Sequence, residues 1–200
     1  MSASRLFFVC LALGAALLLW RCDNAPVTHG PGVLVPSVPE QQPVAARTIG
    51  HGEYALNTRA RFDLQARVLS RRDYRFDRGA DLVPVDLALG WGPMSDSTVL
   101  DRIEVRQSGR WYHLRWDFPE PLPERVAMGH SGNMHLIPAN DGIRDDLDEV
   151  REGDLVRLSG YLVDASGPNG FTWTTSLSRD DTGGGSCELF YVERVLLLTP

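Results

Sequence analysis

The sequence of 200 residues predicts a mainly β domain that follows an N-terminal membrane segment and a proline-rich spacer. Residues 6–20 are continuously apolar, residues 23–50 contain five prolines, and from Ala60 onwards apolar residues recur at every second position. Alternation with period two is typical of half-buried strands. Short strands separated by glycine and proline turns favour a small antiparallel β-barrel, closed or nearly closed, which we predict to be OB-like with one or two short helices.

The chain divides into three predicted parts, at residues 1–22, 23–50 and 51–200. The first part is a signal anchor or a signal peptide, because its apolar run is shorter than the roughly 20 residues that span a bilayer. No small-residue cleavage site follows it, so an uncleaved anchor is favoured. Arg5 precedes the apolar run, which places the remainder outside the cytoplasm. The predicted location is the inner membrane, single-pass, with the domain in the periplasm, or the periplasm alone after cleavage.

Residues 23–50 show no hydrophobic periodicity, and their prolines favour a semi-rigid extended spacer. Three cysteines are present, Cys10, Cys22 and Cys187. An odd number in an oxidising compartment leaves a free thiol or an intermolecular bridge. Pairing of Cys22 with Cys22 of a second copy would give a dimer at the membrane surface.

Every one of the twenty basic residues is an arginine, and the net charge is −6. The absence of lysine excludes Schiff-base chemistry, a P-loop lysine and a Ser-Lys dyad. Arginines are concentrated in residues 47–78, where acids and apolar residues alternate with them. Such alternation favours a solvated strand face, and no nucleic-acid partner is predicted.

Strands are predicted wherever apolar residues alternate or run continuously between turn residues. The first strand is Ala60–Val68. A hairpin follows, whose first arm begins at Ile103, whose turn is Ser108-Gly109 and whose second arm ends at Trp116. The remaining strands are Asp154–Val163, Phe171–Leu177 and Cys187–Leu198. The last strand is apolar on both faces, which predicts a position inside the sheet. Residues 77–96 are interpreted as an edge strand or packed loop because of Pro84. Short helices are predicted within 95–103 and 140–150.

The stretch GHSGNMHLIPAN, residues 129–140, is interpreted as an ordered irregular loop packed by Met134, Leu136 and Ile137. Within it Asn133 and His135 are candidate binding residues, together with Trp91. The His130 and His135 spacing lacks helical register and a third ligand, so no metal site is predicted. No cofactor is predicted either.

Gly129-His130, Cys187 and Arg194 follow one another along the chain in a β-rich domain. This order resembles the sortase arrangement, in which a histidine, a thiolate nucleophile and an oxyanion-stabilising arginine act together. The resemblance implies that these roles fall to His130, Cys187 and Arg194. The implied activity is a cysteine transpeptidase or another thiol hydrolase. The TLxTC motif of that family is absent, and GGGSC stands in its place.

A second resemblance covers more of the chain. The segments DRGADLVPVDLALGWGPMSD, HSGNMHLIPAN and SLSRDDTGGGSCEL, behind a short anchor and a proline-rich spacer, resemble those of an uncharacterised family of Gram-negative envelope proteins. The resemblance implies an envelope location and one domain. The anchor, the spacer and the absence of a strong catalytic constellation favour a membrane-tethered binding or assembly module for an envelope protein, peptide or glycan.

Overall fold

The computed structural model describes residues 25–178 and 187–198, in which β-strands predominate. The strands are β1 (Glu40–Pro43), β2 (Thr48–His51), β3 (Tyr54–Asp73), β4 (Val85–Gly90), β5 (Glu104–Ser108), β6 (Trp111–Arg115), β7 (Ser131–Pro138), β8 (Leu155–Gly167), β9 (Phe171–Trp173) and β10 (Glu188–Leu197). The helices are α1 (Ser97–Leu100), α2 (Glu124–Gly129) and α3 (Asp141–Asp148), with 3-10 turns at Gly92–Ser95 and Pro168–Gly170.

Eight strands form one large sheet, and β5 and β6 form a separate hairpin. Within the large sheet the pairing runs β3-β4-β7-β10-β8, and β8 also pairs with β3, so the circuit of five strands returns to its start. Strand β3 serves both partners because its 20 residues pair with β8 along the first part and with β4 along the last. The β7–β10 pairing is parallel, so the expectation of a purely antiparallel sheet was wrong at that pair.

Alternation along β3 confirms the predicted first strand, and the structure lengthens it at both ends. Ala60, Phe62 and Leu64 are buried inside the circuit, against apolar residues from the other four strands and Leu147 of α3. Two further apolar clusters lie on the outer face of the sheet. One is covered by β2 and β9, and the other by the β5–β6 hairpin, α1 and α2.

Strand β4 is not the edge strand or loop that Pro84 suggested, since it pairs with β3 on one side and β7 on the other. Pro84 stands immediately before the strand, where its missing N–H interrupts no ladder. Its carbonyl accepts a hydrogen bond from the backbone N–H of Tyr74 at 2.8 Å.

The interpretation of residues 129–140 as an irregular loop was also wrong, because Ser131–Pro138 forms the central strand β7. Met134 and Leu136 point into the main core. Asn133 and His135 point to the outer face, and they are buried there because other parts of the chain cover them.

Residues 25–50, for which the prolines predicted a semi-rigid extended spacer, contact the domain at several points. The N–H of Val27 donates to Glu152 O at 2.8 Å, and Val35 is 3% exposed. Further along, β1 and β2 both pair with β3. Proline suits such a segment because an edge strand needs few N–H donors.

Helices α1 and α3 confirm the two helical predictions, and each begins at a side-chain cap. Asp96 accepts from Thr98 N at 2.8 Å, and Asn140 accepts from Ile143 N at 3.1 Å. Helix α2 was not predicted. In the part of the chain that the structure describes, no helix is both long and apolar enough to cross a membrane. The predicted anchor, Cys10 and Cys22 lie outside the described residues.

Candidate functional site

A buried acid and a buried histidine face each other on the outer side of the sheet. Asp86 of β4 is directly opposite His135 of β7 in the strand register. Asp86 is fully buried and His135 is 2% exposed, and Asp86 Oδ1 lies 2.9 Å from His135 Nδ1. Since an isolated buried carboxylate is costly, this pair requires a cation or donors nearby.

Arg110 supplies that cation from the tip of the β5–β6 hairpin. Its Nη1 donates to Asp86 Oδ1 at 2.8 Å, while Nε and Nη2 donate to the two carboxylate oxygens of Asp77 at 2.7 and 2.8 Å. The guanidinium carbon lies 3.6 Å from the centre of the Tyr74 ring. Arg110 adopts a φ of +71°, which a side-chain-bearing residue rarely does. The turn is therefore held in place by these contacts.

Three further side chains complete what we call the hairpin cluster. Asn133 Nδ2 donates to the carbonyl of Arg110 at 3.0 Å, and Gln107 Nε2 donates to Asn133 Oδ1 at 2.6 Å. The Trp173 ring covers His135, with 4.6 Å between the ring centres. The hairpin cluster comprises Tyr74, Asp77, Asp86, Gln107, Arg110, Asn133, His135 and Trp173.

Hydrogen bonding in the cluster is incomplete. Asp86 Oδ2, His135 Nδ1 and Gln107 Oε1 are buried and have no hydrogen-bond partner among the described residues. His135 Nδ1 is near Asp86 Oδ1 by distance alone, since the contact is not aligned as a hydrogen bond. Buried polar atoms are usually paired, so these three mark a place where a ligand, a water molecule or a rearranged hairpin would supply partners.

The electrostatics of the cluster centre on Arg110. Its hydrogen bonds hold the pKa of the Asp77 carboxyl below the ordinary value. Burial acts to lower the pKa of Arg110, but Asp77 and Asp86 outweigh it and raise that pKa. Burial, followed by the charge of Asp86, raises the pKa of Tyr74. The arginine and Asp77 are thus both held in their charged forms.

Two exposed aromatic residues border the cluster. Phe76 is 98% exposed and precedes Asp77, and Trp111 is 39% exposed and follows Arg110. Each of them is thus the sequence neighbour of one member of the Asp77–Arg110 pair. Exposed aromatic residues beside an ordered polar cluster are typical of a binding surface.

Strand register places the three residues of the sortase-like arrangement at different levels of the sheet. Cys187 is half-buried and continues β10, in which Glu188 lies opposite Met134. Continuing this parallel register by one residue places Cys187 opposite Asn133 of β7. His130 precedes Asn133 by three residues, which is roughly 10 Å along the strand direction. Arg194 is exposed and lies seven residues along β10, roughly 20 Å away.

His130 and Trp91 have local roles. His130 Nδ1 is 2.8 Å from Val126 O, one turn earlier in α2. Trp91 is 1% exposed, so its ring is not accessible to a ligand. Among the described residues, no three His, Cys, Asp or Glu side chains are grouped so that they could hold a metal ion.

Of the predicted site residues, Asn133 and His135 are brought together in the hairpin cluster. Asp86, Arg110 and Asp77 were not predicted. Asp86 did carry a signal, since it is the one charged residue in the run LVPVDLALG. Comparison with known proteins adds no family, because no protein-family model and no curated protein matches this chain.

Proposed function

We propose that the chain is a membrane-tethered binding or assembly module of the periplasm, built on an OB-like barrel. The closed five-strand pairing supports the barrel, as do the bulge where β3 passes from β8 to β4 and the helix α3 between β7 and β8. OB-fold barrels bind ligands on the outer face of their second and third strands and on adjoining loops. In this chain those strands are β4 and β7.

The observation that carries the proposal is the position of the hairpin cluster. It lies on the outer face of β4 and β7, beside the loop after β3, and it presents Phe76 and Trp111 to solvent. We assign the ligand to this aromatic border, with the cluster as its rigid support. Side chains locked by packing and hydrogen bonds give a more specific surface than mobile ones.

The location part of the proposal rests on the sequence. Residues 6–20 have the length and hydrophobicity of a targeting segment, and Arg5 precedes them. The partners proposed for a periplasmic module are envelope components, namely a glycan, a peptide or a protein. A reporter fusion after residue 200 that is active only in the periplasm is the expected result, and one active only in the cytoplasm would overturn the location.

The ligand face is tested with defined peptidoglycan fragments. Full-length protein is titrated with a soluble disaccharide-peptide, with chitin oligosaccharides and with the stem peptide alone, and tryptophan fluorescence is followed. Binding of at least one probe is expected, with an affinity weakened roughly tenfold by F76A or W111A, because such aromatic anchors dominate binding surfaces.

Phe118 provides a matched control, since it is 91% exposed and lies after β6, outside the hairpin cluster. F118A is expected to bind like the parent protein. Equal losses in F76A and F118A would place the ligand elsewhere. Lack of binding to all three probes would overturn a glycan or peptide ligand at this face.

A further inference from the structure

A second polar surface lies on β3, β8 and β10, which are not the strands of the proposed ligand face. It is a cleft of about 340 Å³, and its floor is the solvent side of three paired strands. Three arginines and two acids line it, with a serine and an exposed leucine. We call it the arginine cleft, and its lining consists of Arg61, Asp63, Arg157, Ser159, Glu193, Arg194 and Leu196.

Strand register brings the polar groups together. Ser159 of β8 lies between Asp63 of β3 and Arg194 of β10, and Arg157 occupies the next outward position of β8. Side chains two residues apart on a strand point to the same face. Arg157 and Arg194 therefore flank the Ser159 hydroxyl.

The two flanking arginines have no side-chain partner among the described residues. Within residues 25–178 and 187–198, no side chain forms a hydrogen bond or ion pair with Arg157 or Arg194. Ser159 is 7% exposed, and its hydroxyl also lacks a partner in that part of the chain. Arg61 differs, because it is held by Asp63 at 3.2 Å and Glu193 at 2.9 Å.

From this geometry we infer that the arginine cleft binds a single carboxylate group of a peptide. Guanidinium groups match the planar, bidentate geometry of a carboxylate, and the Ser159 hydroxyl adds a donor. Three arginines against two acids line the cleft, and Arg47 lies 3.8 Å from Glu193, so the cleft is positively charged and attracts an anion. A phosphate dianion would face Asp63 and Glu193 with an excess of negative charge.

The rest of the cleft favours an apolar residue next to that carboxylate. Leu196 is 45% exposed at its border, and it is directly opposite Arg157 in the β8–β10 register. The volume of the cleft exceeds that of a carboxylate alone and falls within the range of small-ligand sites. A peptide with an acidic residue beside leucine would fill both parts.

The test uses the full-length, ¹⁵N-labelled protein in detergent micelles and three peptide probes. Acetyl-Leu-Glu-Leu-amide carries a side-chain carboxylate, acetyl-Leu-Leu carries a terminal one, and acetyl-Leu-Gln-Leu-amide carries none. We expect amide shifts at residues 157–159 and 194–196 with one or both carboxylate peptides and none with the glutamine peptide. Sodium phosphate, as a fourth probe, is expected to bind more weakly than the carboxylate peptides.

R157Q/R194Q should weaken carboxylate binding roughly tenfold, since both charge-assisted contacts are removed. R75Q/R125Q is the matched control, because Arg75 and Arg125 are exposed and the net charge change is the same. Equal shifts with the glutamine peptide, equal losses in both double variants, or tighter phosphate binding would each overturn the inference. The comparison of the four probes on the parent protein tests the inference even if a variant fails to fold. Its outcome does not depend on Phe76 or Trp111, so it is distinguishable from the test of the proposed ligand face.

Discussion

Arg110 and Asp77 form a bidentate pair, with Nε–Oδ2 and Nη2–Oδ1 distances of 2.7 and 2.8 Å. One residue lies at the tip of the β5–β6 hairpin and the other in the loop after β3, so the pair joins two turns that are 33 residues apart in sequence. The same guanidinium also reaches Asp86 beneath the hairpin. Loss of this side chain would release the hairpin and leave a buried acid unpaired.

Arg110→Ala is therefore expected to lower the free energy of unfolding by about 3–5 kcal/mol, the usual effect of leaving a buried charge without its partner. Urea unfolding followed by tryptophan fluorescence measures it. Arg106→Ala is the control, since Arg106 is on the same hairpin and, among the described residues, pairs with Glu104 alone at the surface. That variant should change stability by less than about 1 kcal/mol. Equal effects in the two variants would contradict the central role of Arg110.

Acid should weaken the hairpin contact through Asp77. The pKa of this carboxyl is lower in the folded protein than in the unfolded chain, because Arg110 hydrogen-bonds its charged form. As the pH falls below about 4, Asp77 therefore binds a proton in the unfolded chain before it does so in the folded protein. The stabilisation from the charged carboxylate declines until the pH has fallen through the pKa of the folded state. Asp77→Asn should reduce the loss of stability between about pH 5 and pH 2, measured as urea midpoints. Asp117→Asn, which changes an exposed acid, should leave the slope unchanged.

Gly153 tests how the N-terminal segment is held. A Cβ on Gly153 would lie 1.9 Å from Val27 O, whereas one on Gly52 would meet nothing within 4 Å. Both glycines have positive φ, so alanine at either position costs about 1 kcal/mol of backbone strain. Only Gly153→Ala should also speed amide exchange at Val27, read by hydrogen–deuterium exchange. Similar exchange in G153A and G52A would mean that Val27 is not held there.

Cys187 should react with iodoacetamide without assistance from His130 or Arg194. By strand register the backbone of His130 and that of Arg194 lie roughly 10 and 20 Å from it. The His130 ring also packs against Val126 and Gly92, so we expect neither residue to activate the thiolate. Its rate with iodoacetamide should therefore change less than about twofold in H130Q or R194Q. A large decrease in either variant would return the transpeptidase hypothesis to consideration.

The sequence was informative where a strand has one polar and one apolar face. Strand β3, the β5–β6 hairpin and β8 all show that alternation, and both capped helices had recognisable first residues. Strand β7 shows it too, at Met134 and Leu136. Its polar residues Asn133 and His135, however, led to the interpretation of this stretch as a loop with candidate binding residues. Polar residues on a buried outer face look like loop residues until the covering element is known.

The contacts of the hairpin cluster could not be predicted from the sequence. Arg110 meets Asp86 because β4 pairs with β7 and the hairpin folds back over both, which depends on long-range pairing and on a turn with positive φ. Arg194 illustrates the same limit, since the bulge between Val192 and Arg194 determines the face to which its side chain points.

The attachment of residues 25–43 has a mechanical consequence. In order along the chain, Val27 is hydrogen-bonded to Glu152, Gly32 to Asp96 and Val35 to Ser95. Strand β1 then pairs with β3. A pulling force applied ahead of residue 25 would therefore load these contacts one after another, as in peeling, and would reach the five-strand circuit last. Small forces would extend the N-terminal segment, and the five-strand circuit would stay folded.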